Sequence, residues 1–137
     1  PGRLGCFAMI ILDTHIWVWW VQGDNRLTQQ HQVLLQAHQT DGLGVSLYSC
    51  WEVAKLVEYG RLVLPCSLEE WFTTALADPG IQLLDLTLPI IMDSTRLTGF
   101  HRDPADQLIV ATARVLGLPL LTADQKILNY SGVTTLK

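Results

Sequence analysis

The sequence predicts an α/β fold, a three-layer α/β/α sandwich around a central, mostly parallel sheet, and three observations carry that expectation. Short apolar runs alternate with segments of helical period along the whole chain, cap and turn residues separate them, and no repeat, low-complexity tract or linker interrupts the order. Strands alternating with helices form βαβ units, in which the strands pair in parallel and the helices cover both faces of the sheet. A chain of 137 residues is long enough for one such domain to bury a core without covalent staples.

Each element has its own signal. "MIIL" (9–12) is a short apolar strand that leads through Asp13 into the helical "THIWVWWV", and Thr28 caps a second helix running to about His38. "GVSLYS" (44–49) reads as the second strand, followed by a helix over 50–59 that stops at Gly60. Ser67 and Glu70 form a capping box for "LEEWFTTALA", which "DPG" closes. "IQLLDL" (81–86) is the third strand, with a helix over about 88–97 behind it. Asp103 and Pro104 open a helix that runs to Gly117, "LPLLT" (118–122) is the fourth strand, a short helix covers 125–129, and "VTTL" (133–136) is a candidate fifth strand. Met9 opens the first periodic segment, so residues 1–8 read as an upstream extension or cloning remnant and 9–137 as the domain.

Composition narrows the function classes. Apolar residues make up 49% of the chain and charged residues 16%, less than the usual quarter, which implies that a partner or a second copy covers part of the surface. The three cysteines, Cys6, Cys50 and Cys66, are odd in number and form no C-x-x-C pair, which fits buried thiols in a reducing, cytoplasmic setting. Asp13 and His15 interrupt the longest greasy run, which falls short of the ~20 apolar residues of a membrane span. The net charge of -4 argues mildly against nucleic acid, but two divalent cations would bring it to -4 + 4 = 0, so acidity does not exclude a metal-dependent nuclease.

The acids themselves carry the chemistry. Asp13 ends the first strand, Glu52 lies early in the helix after the second, Asp106 in the first turn of the helix before the fourth, and Asp124 just beyond the fourth strand in "TAD". Ligands of parallel sheets bind beyond the carboxyl ends of the strands. Each acid has a plain structural reading: Asp13 and Asp124 as helix caps, Glu52 in a capping box with Ser49, and Asp106 complementing a helix dipole. Four carboxylates converging on one rim would repel and raise one another's pKa unless a cation neutralised them, and hard oxygen ligands suit Mg²⁺ or Mn²⁺.

"MIILDTHIWVWW", "SLYSCWEVAKL", "RDPADQLIVATA" and "LPLLTADQKI" occur in this order, and with them the chain resembles the PIN-domain ribonucleases, specifically the VapC-type toxins of bacterial toxin-antitoxin pairs. The resemblance spans about Met9 to Leu136. It implies a PIN-like sandwich whose Asp13, Glu52, Asp106 and Asp124 form the catalytic, metal-holding cluster, with Thr14 and Thr122 supporting carboxylates. Asp103 is expected as the helix cap, or in support of the ligands. The implied activity is Mg²⁺-dependent (or Mn²⁺-dependent) endonucleolytic hydrolysis of RNA, and the implied partners are a cognate antitoxin and a second copy in a homodimer. Where close relatives often carry Arg after the third acid, this chain has Gln107. The alternative in another class is a catalytically silent PIN fold that serves as an RNA-binding or interaction module. A haloacid-type phosphatase also places Asp after its first strand but expects D-x-D, where this chain has "DTH".

Positions near the acids add RNA-contact candidates: His15 beside Asp13, and His101 with Arg102 beside Asp106. His31 and His38, seven residues apart and so about 10.5 Å along a helix, are too distant to share a metal and are expected at the surface. Lys55 is expected to pair with Glu52. Trp17 and Trp20 share one helix face while Trp19 points elsewhere, and Trp51 adjoins Glu52 as a candidate part of an antitoxin groove.

Overall fold

A sheet of five short strands runs through the middle of the computed structural model, which describes residues 9–137. The expected upstream extension and Cys6 lie outside the described residues. The strands are β1 (Ile10–Leu12), β2 (Leu43–Ser46), β3 (Ile81–Leu84), β4 (Leu120–Leu121) and β5 (Thr135–Leu136). The helices are α1 (Thr14–Gln22), α2 (Gln29–His38), α3 (Leu47–Glu58), α4 (Leu68–Leu76), α5 (Leu88–Ser94), α6 (Pro104–Leu116) and α7 (Gln125–Leu128). The sheet order is β3-β2-β1-β4-β5 and every described pairing is parallel, so the expected mostly parallel sheet is parallel throughout.

Alternation along β1 divides the core. Ile10 and Leu12 point to one face, where they pack with Ile16 and Trp17 of α1, Leu35 of α2, Val53 of α3 and Trp71 of α4. Ile11 points to the other and packs with Ile109, Val110 and Ala113 of α6 and Ile127 of α7. The central strand is buried on both faces, as the unbroken "IIL" implies. Trp17 is fully buried, with its ring 5.1 Å from that of Trp71 and nearly parallel to that of Phe72 at 6.5 Å.

Chain direction then places the site. From β1 the chain steps one way to β2 and β3, and afterwards returns to the opposite side of β1 for β4 and β5. The order therefore reverses between β1 and β4, the topological switch point at whose carboxyl edge open α/β sheets bind ligands. A helix leading into a parallel strand runs back across the sheet, so α6 starts at the carboxyl edge and presents Asp106 there. Its far end closes at Gly117, whose φ of 67° is the left-handed cap glycine supplies cheaply.

Several local expectations change. The second strand ends at Ser46 rather than residue 49, because the Ser46 hydroxyl accepts from Tyr48 N at 3.0 Å and starts α3 there. His31 is buried rather than at the surface, since its Nδ1 accepts from Thr28 N at 3.1 Å while Thr28 Oγ1 accepts from His31 N, a capping box with imidazole in the usual Glu position. Lys55 pairs with Glu58 at 2.8 Å instead of Glu52. Cys66 is exposed and Cys50 half-buried, so neither is the fully buried thiol expected.

Trp17→Ala should lower unfolding free energy by about 3–5 kcal/mol, the usual cost of emptying a large aromatic site. Trp17→Phe should cost less than half as much, because the indole N–H it removes has no hydrogen-bond partner. Denaturant unfolding of both variants checks the pair, and equal losses would contradict the packing described.

Candidate active site

The rim is organised by one buried carboxylate. Asp13 is 6% exposed; its Oδ1 accepts from Thr14 N at 2.8 Å as the cap of α1, and its Oδ2 accepts from Thr122 Oγ1 at 2.7 Å. Thr122 Oγ1 also accepts from Asp124 N at 3.0 Å, so one hydroxyl joins the ends of β1 and β4. On the other side Thr14 Oγ1 and Ser49 Oγ stand 2.7 Å apart, linking α1 to α3. Ser49 thus does not cap α3 with Glu52, as expected from "SCWE"; its hydroxyl is engaged 35 residues away.

Around this axis the other acids gather in neighbouring pairs. Burial lifts Asp13 above its ordinary pKa, opposed by the Thr122 bond, the His15 charge and the Thr14 N–H, and reinforced by Asp124. Glu52 is also raised by burial, partly offset by the nearby Thr14 hydroxyl and reinforced by Asp13 and Asp103. Asp106 is pushed up to about 7, first by burial and then by the charges of Asp124, Asp13 and Asp103. Even Tyr48 is raised to about 12, by burial and then by Glu52, Asp103 and Asp106. Asp124 keeps its capping bond, accepting from Lys126 N at 2.8 Å, and Asp103 caps α6 through Ala105 N at 2.9 Å.

The structure therefore brings Asp13, Glu52, Asp106 and Asp124 to one rim, with Asp103 at its edge. They do not form a closed cage: among the described residues, no group of three or more His, Cys, Asp or Glu side chains stands close enough to hold an ion by itself. Mg²⁺ seldom uses such all-protein cages; one or two carboxylates hold it together with waters and substrate phosphates. The donor set of hard oxygens, crowded and short of cations, fits that mode.

The RNA-contact candidates separate. His15 is exposed, and with Asp13, Trp19, Ala123 and Asp124 it lines a cavity of about 250 Å³. Arg102 is exposed. His101 turns inward: its Nε2 lies 3.0 Å from Asp106 Oδ2, close enough for an ion pair when protonated but not aligned as a hydrogen-bond donor. Gln107, the departure from the family's Arg, donates from Nε2 to His101 O at 3.1 Å and holds that loop against α6. The roles of Ser49 and His101 have no local sequence signal, because both depend on partners supplied by the fold.

A parallel sandwich with an acidic rim at its switch point has the chemistry for a hard cation and a phosphate-bearing ligand. The PIN domain family pattern matches residues 10–133, and the chain belongs to that family. Ribonuclease VapC22 of Mycobacterium tuberculosis is 30% identical over 122 residues, which cover 88% of this chain and 91% of that relative. Among solved structures, VapBC2 from Rickettsia felis bound to a DNA fragment from their promoter superposes with a TM-score of 0.69 at 15% identity, covering 93% of this chain and 97% of that one. A toxin-antitoxin complex from Klebsiella pneumoniae gives 0.66 at 20% identity, with 93% and 96% covered. These two likenesses are of fold.

Thr122→Val should destabilise the protein by about 1–3 kcal/mol, because the buried Asp13 carboxylate loses a donor and Asp124 N loses its acceptor. The same change should raise the Asp13 pKa further, since the lost bond favours the charged form. Denaturant unfolding and carboxyl-carbon NMR titration read the two effects, and Thr122→Ser should show neither.

Proposed function

We propose that this protein is a metal-dependent endoribonuclease, the toxin of a toxin-antitoxin pair, acting in the cytoplasm. The observation that carries the reading is the crowding of Asp13, Asp106 and Asp124 at the switch point, where Asp106 is held up to about 7. Support for the biological class comes from the family, from a relative named as a ribonuclease, and from fold likeness to toxin-antitoxin complexes.

Asp13, Glu52, Asp106 and Asp124 would hold Mg²⁺ or Mn²⁺. When bound, the cation supplies charge to offset phosphate oxygens and lowers the pKa of a water, the nucleophile of phosphodiester hydrolysis. The chain's own residues set the geometry. Asp13 is fixed by two hydrogen bonds at the base of the site; Thr14 steadies the Glu52 side, and Thr122 the Asp124 side. His101 stands by Asp106, where its protonated form would offset one negative charge. No side chain need form a covalent intermediate, so the reaction is direct hydrolysis.

The partners follow from surface chemistry. Leu88, Ile91 and Met92 lie along one side of α5, respectively 65%, 42% and 42% exposed, with Leu83 of β3 a further exposed apolar residue. An apolar helix face of this kind suits a homodimer contact. A cognate antitoxin would cover the acidic rim. Among the described residues no helix is long and apolar enough to cross a membrane.

Asp13→Asn should reduce RNA cleavage ~100-fold or more, as when a site loses a key electrostatic group. The melting temperature of the metal-free variant should change only modestly, because Asn keeps the cap and removes a buried charge but presents an amide N–H to Thr122 Oγ1 where Asp presents an acceptor. Chelation should abolish wild-type cleavage and added Mg²⁺ or Mn²⁺ restore it. Unchanged cleavage by the variant would leave Asp13 as a cap alone; RNA binding without cleavage by the wild type would point to a silent PIN module.

Ile91→Glu should shift the protein from dimer to monomer in sedimentation velocity while leaving its helix content unchanged. A wild type that is monomeric at high micromolar concentration would exclude the dimer.

A further inference from the structure

We infer that Trp19 is the stacking platform for an RNA base beside the scissile phosphate, and so determines which nucleotide position the enzyme reads. This deepens the proposed ribonuclease function and rests on it. The cavity of about 250 Å³ that adjoins the acids has Asp13 and Asp124 in its wall, and its remaining lining is His15, Trp19 and Ala123. A cation on Asp13 and Asp124 would take the scissile phosphate, so the part of the cavity walled by His15, Trp19 and Ala123 is left for the flat base of the adjoining nucleotide. Trp19 supplies the matching surface, since base-aromatic stacking tolerates any base and is the common device of single-strand recognition.

The ring is placed for that role by the rest of the molecule. Trp17 points into the core from the same helix, and Trp20 donates from Nε1 to Asp78 Oδ2 at 3.2 Å, while the half-buried Trp19 rests partly on the core and lines the cavity. The Arg26 guanidinium lies 5.3 Å from the Trp19 ring centre and is itself fixed by Asp24 through bonds of 3.1 and 2.7 Å. The His15 ring stands 6.1 Å from Trp19 at an interplanar angle of 54°, bordering the same space. The three tryptophans in "WVWW" thus have three different tasks, and only Trp19 meets the acidic rim.

The test uses RNA oligonucleotides cleaved at one site, each carrying a single abasic residue moved along the chain. For the wild type, one position flanking the cut should raise KM by about five- to a hundredfold when abasic, with kcat little changed, the range expected for losing one stacked base. Trp19→Leu, which keeps apolar packing, should show the same loss with intact RNA and become insensitive to the abasic residue at that position. Trp19→Phe should recover most of the affinity. Equal abasic sensitivity of wild type and Trp19→Leu at every position overturns the inference. So does a Trp19→Leu defect confined to binding a cationic antitoxin peptide, which two carboxylates would attract directly. If the wild type cleaves no RNA, the ribonuclease reading fails separately. Stacking is then read from quenching of 2-aminopurine in the same oligonucleotides: loss of quenching in Trp19→Leu with retention in Trp19→Phe supports the platform, and no quenching in the wild type overturns it.

Discussion

The pair of hydrogen bonds on the Asp13 carboxylate is the constraint on which the rest of the rim depends. One bond starts α1 and the other, from Thr122, spans 109 residues to fix β4 against β1 at the carboxyl edge. Thr122 then holds Asp124 N, and Thr14 meets Ser49 on α3. A continuous run of short polar side chains thus crosses the top of the sheet between two apolar layers. In that low-dielectric setting each member is strengthened by its neighbours, and each would be costly to leave unpaired.

Capping and chemistry are not rival accounts of the acids, because the topology makes them one. In a parallel sheet the helices that follow β1, β2 and β4 start at the carboxyl edge, and α6, which runs back into β4, starts there too. Asp13, Ser46, Asp103 and Asp124 cap these four helices. Three multi-turn helices, α1, α3 and α6, therefore bring N-termini with partial positive charge to the carboxylates, and the single turn of α7 adds its N–H groups. Their fields and N–H groups make the acidic cluster tolerable without cancelling its crowding: Asp13, Glu52 and Asp106 remain raised.

The order of elements was legible because local signals agreed with the fold: "IIL" is apolar on both sides of a central strand, Ser67 and Glu70 close a capping box, and Asp103, Pro104 and Gly117 bound α6. The acid positions were legible as ends of strands and first turns of helices. What sequence could not supply was long-range pairing. Ser49, three residues before Glu52, carries the capping-box pattern that Ser46 lacks, and only the meeting of α1 with α3 shows that its hydroxyl belongs to Thr14. His31 looked solvated because imidazole is an unusual partner in a capping box, and Lys55 had two acids at helical spacing, of which Glu58 is the exposed and therefore cheaper partner. Cys66 misled through composition: rarity of thiols outside cores is a tendency, and its loop lies at the surface.

The energetic character of the rim is itself an argument about purpose. Carboxylates raised by burial and mutual repulsion make the cation-free fold less stable, and replacing one with a neutral residue of similar shape would ordinarily relieve the strain. Sites that break local rules at a stability cost are where binding or catalysis is to be sought. Here the cost is concentrated at the one place on the sheet where topology opens a crevice, and it is laid out on elements whose positions are fixed by core packing on both faces. A cap requirement alone would be met by Ser, Thr or Asn at each helix start, as Ser46 meets it for α3. The excess of negative charge beyond what capping needs is the part that the fold's stability does not explain, and it is the part on which the proposed activity rests.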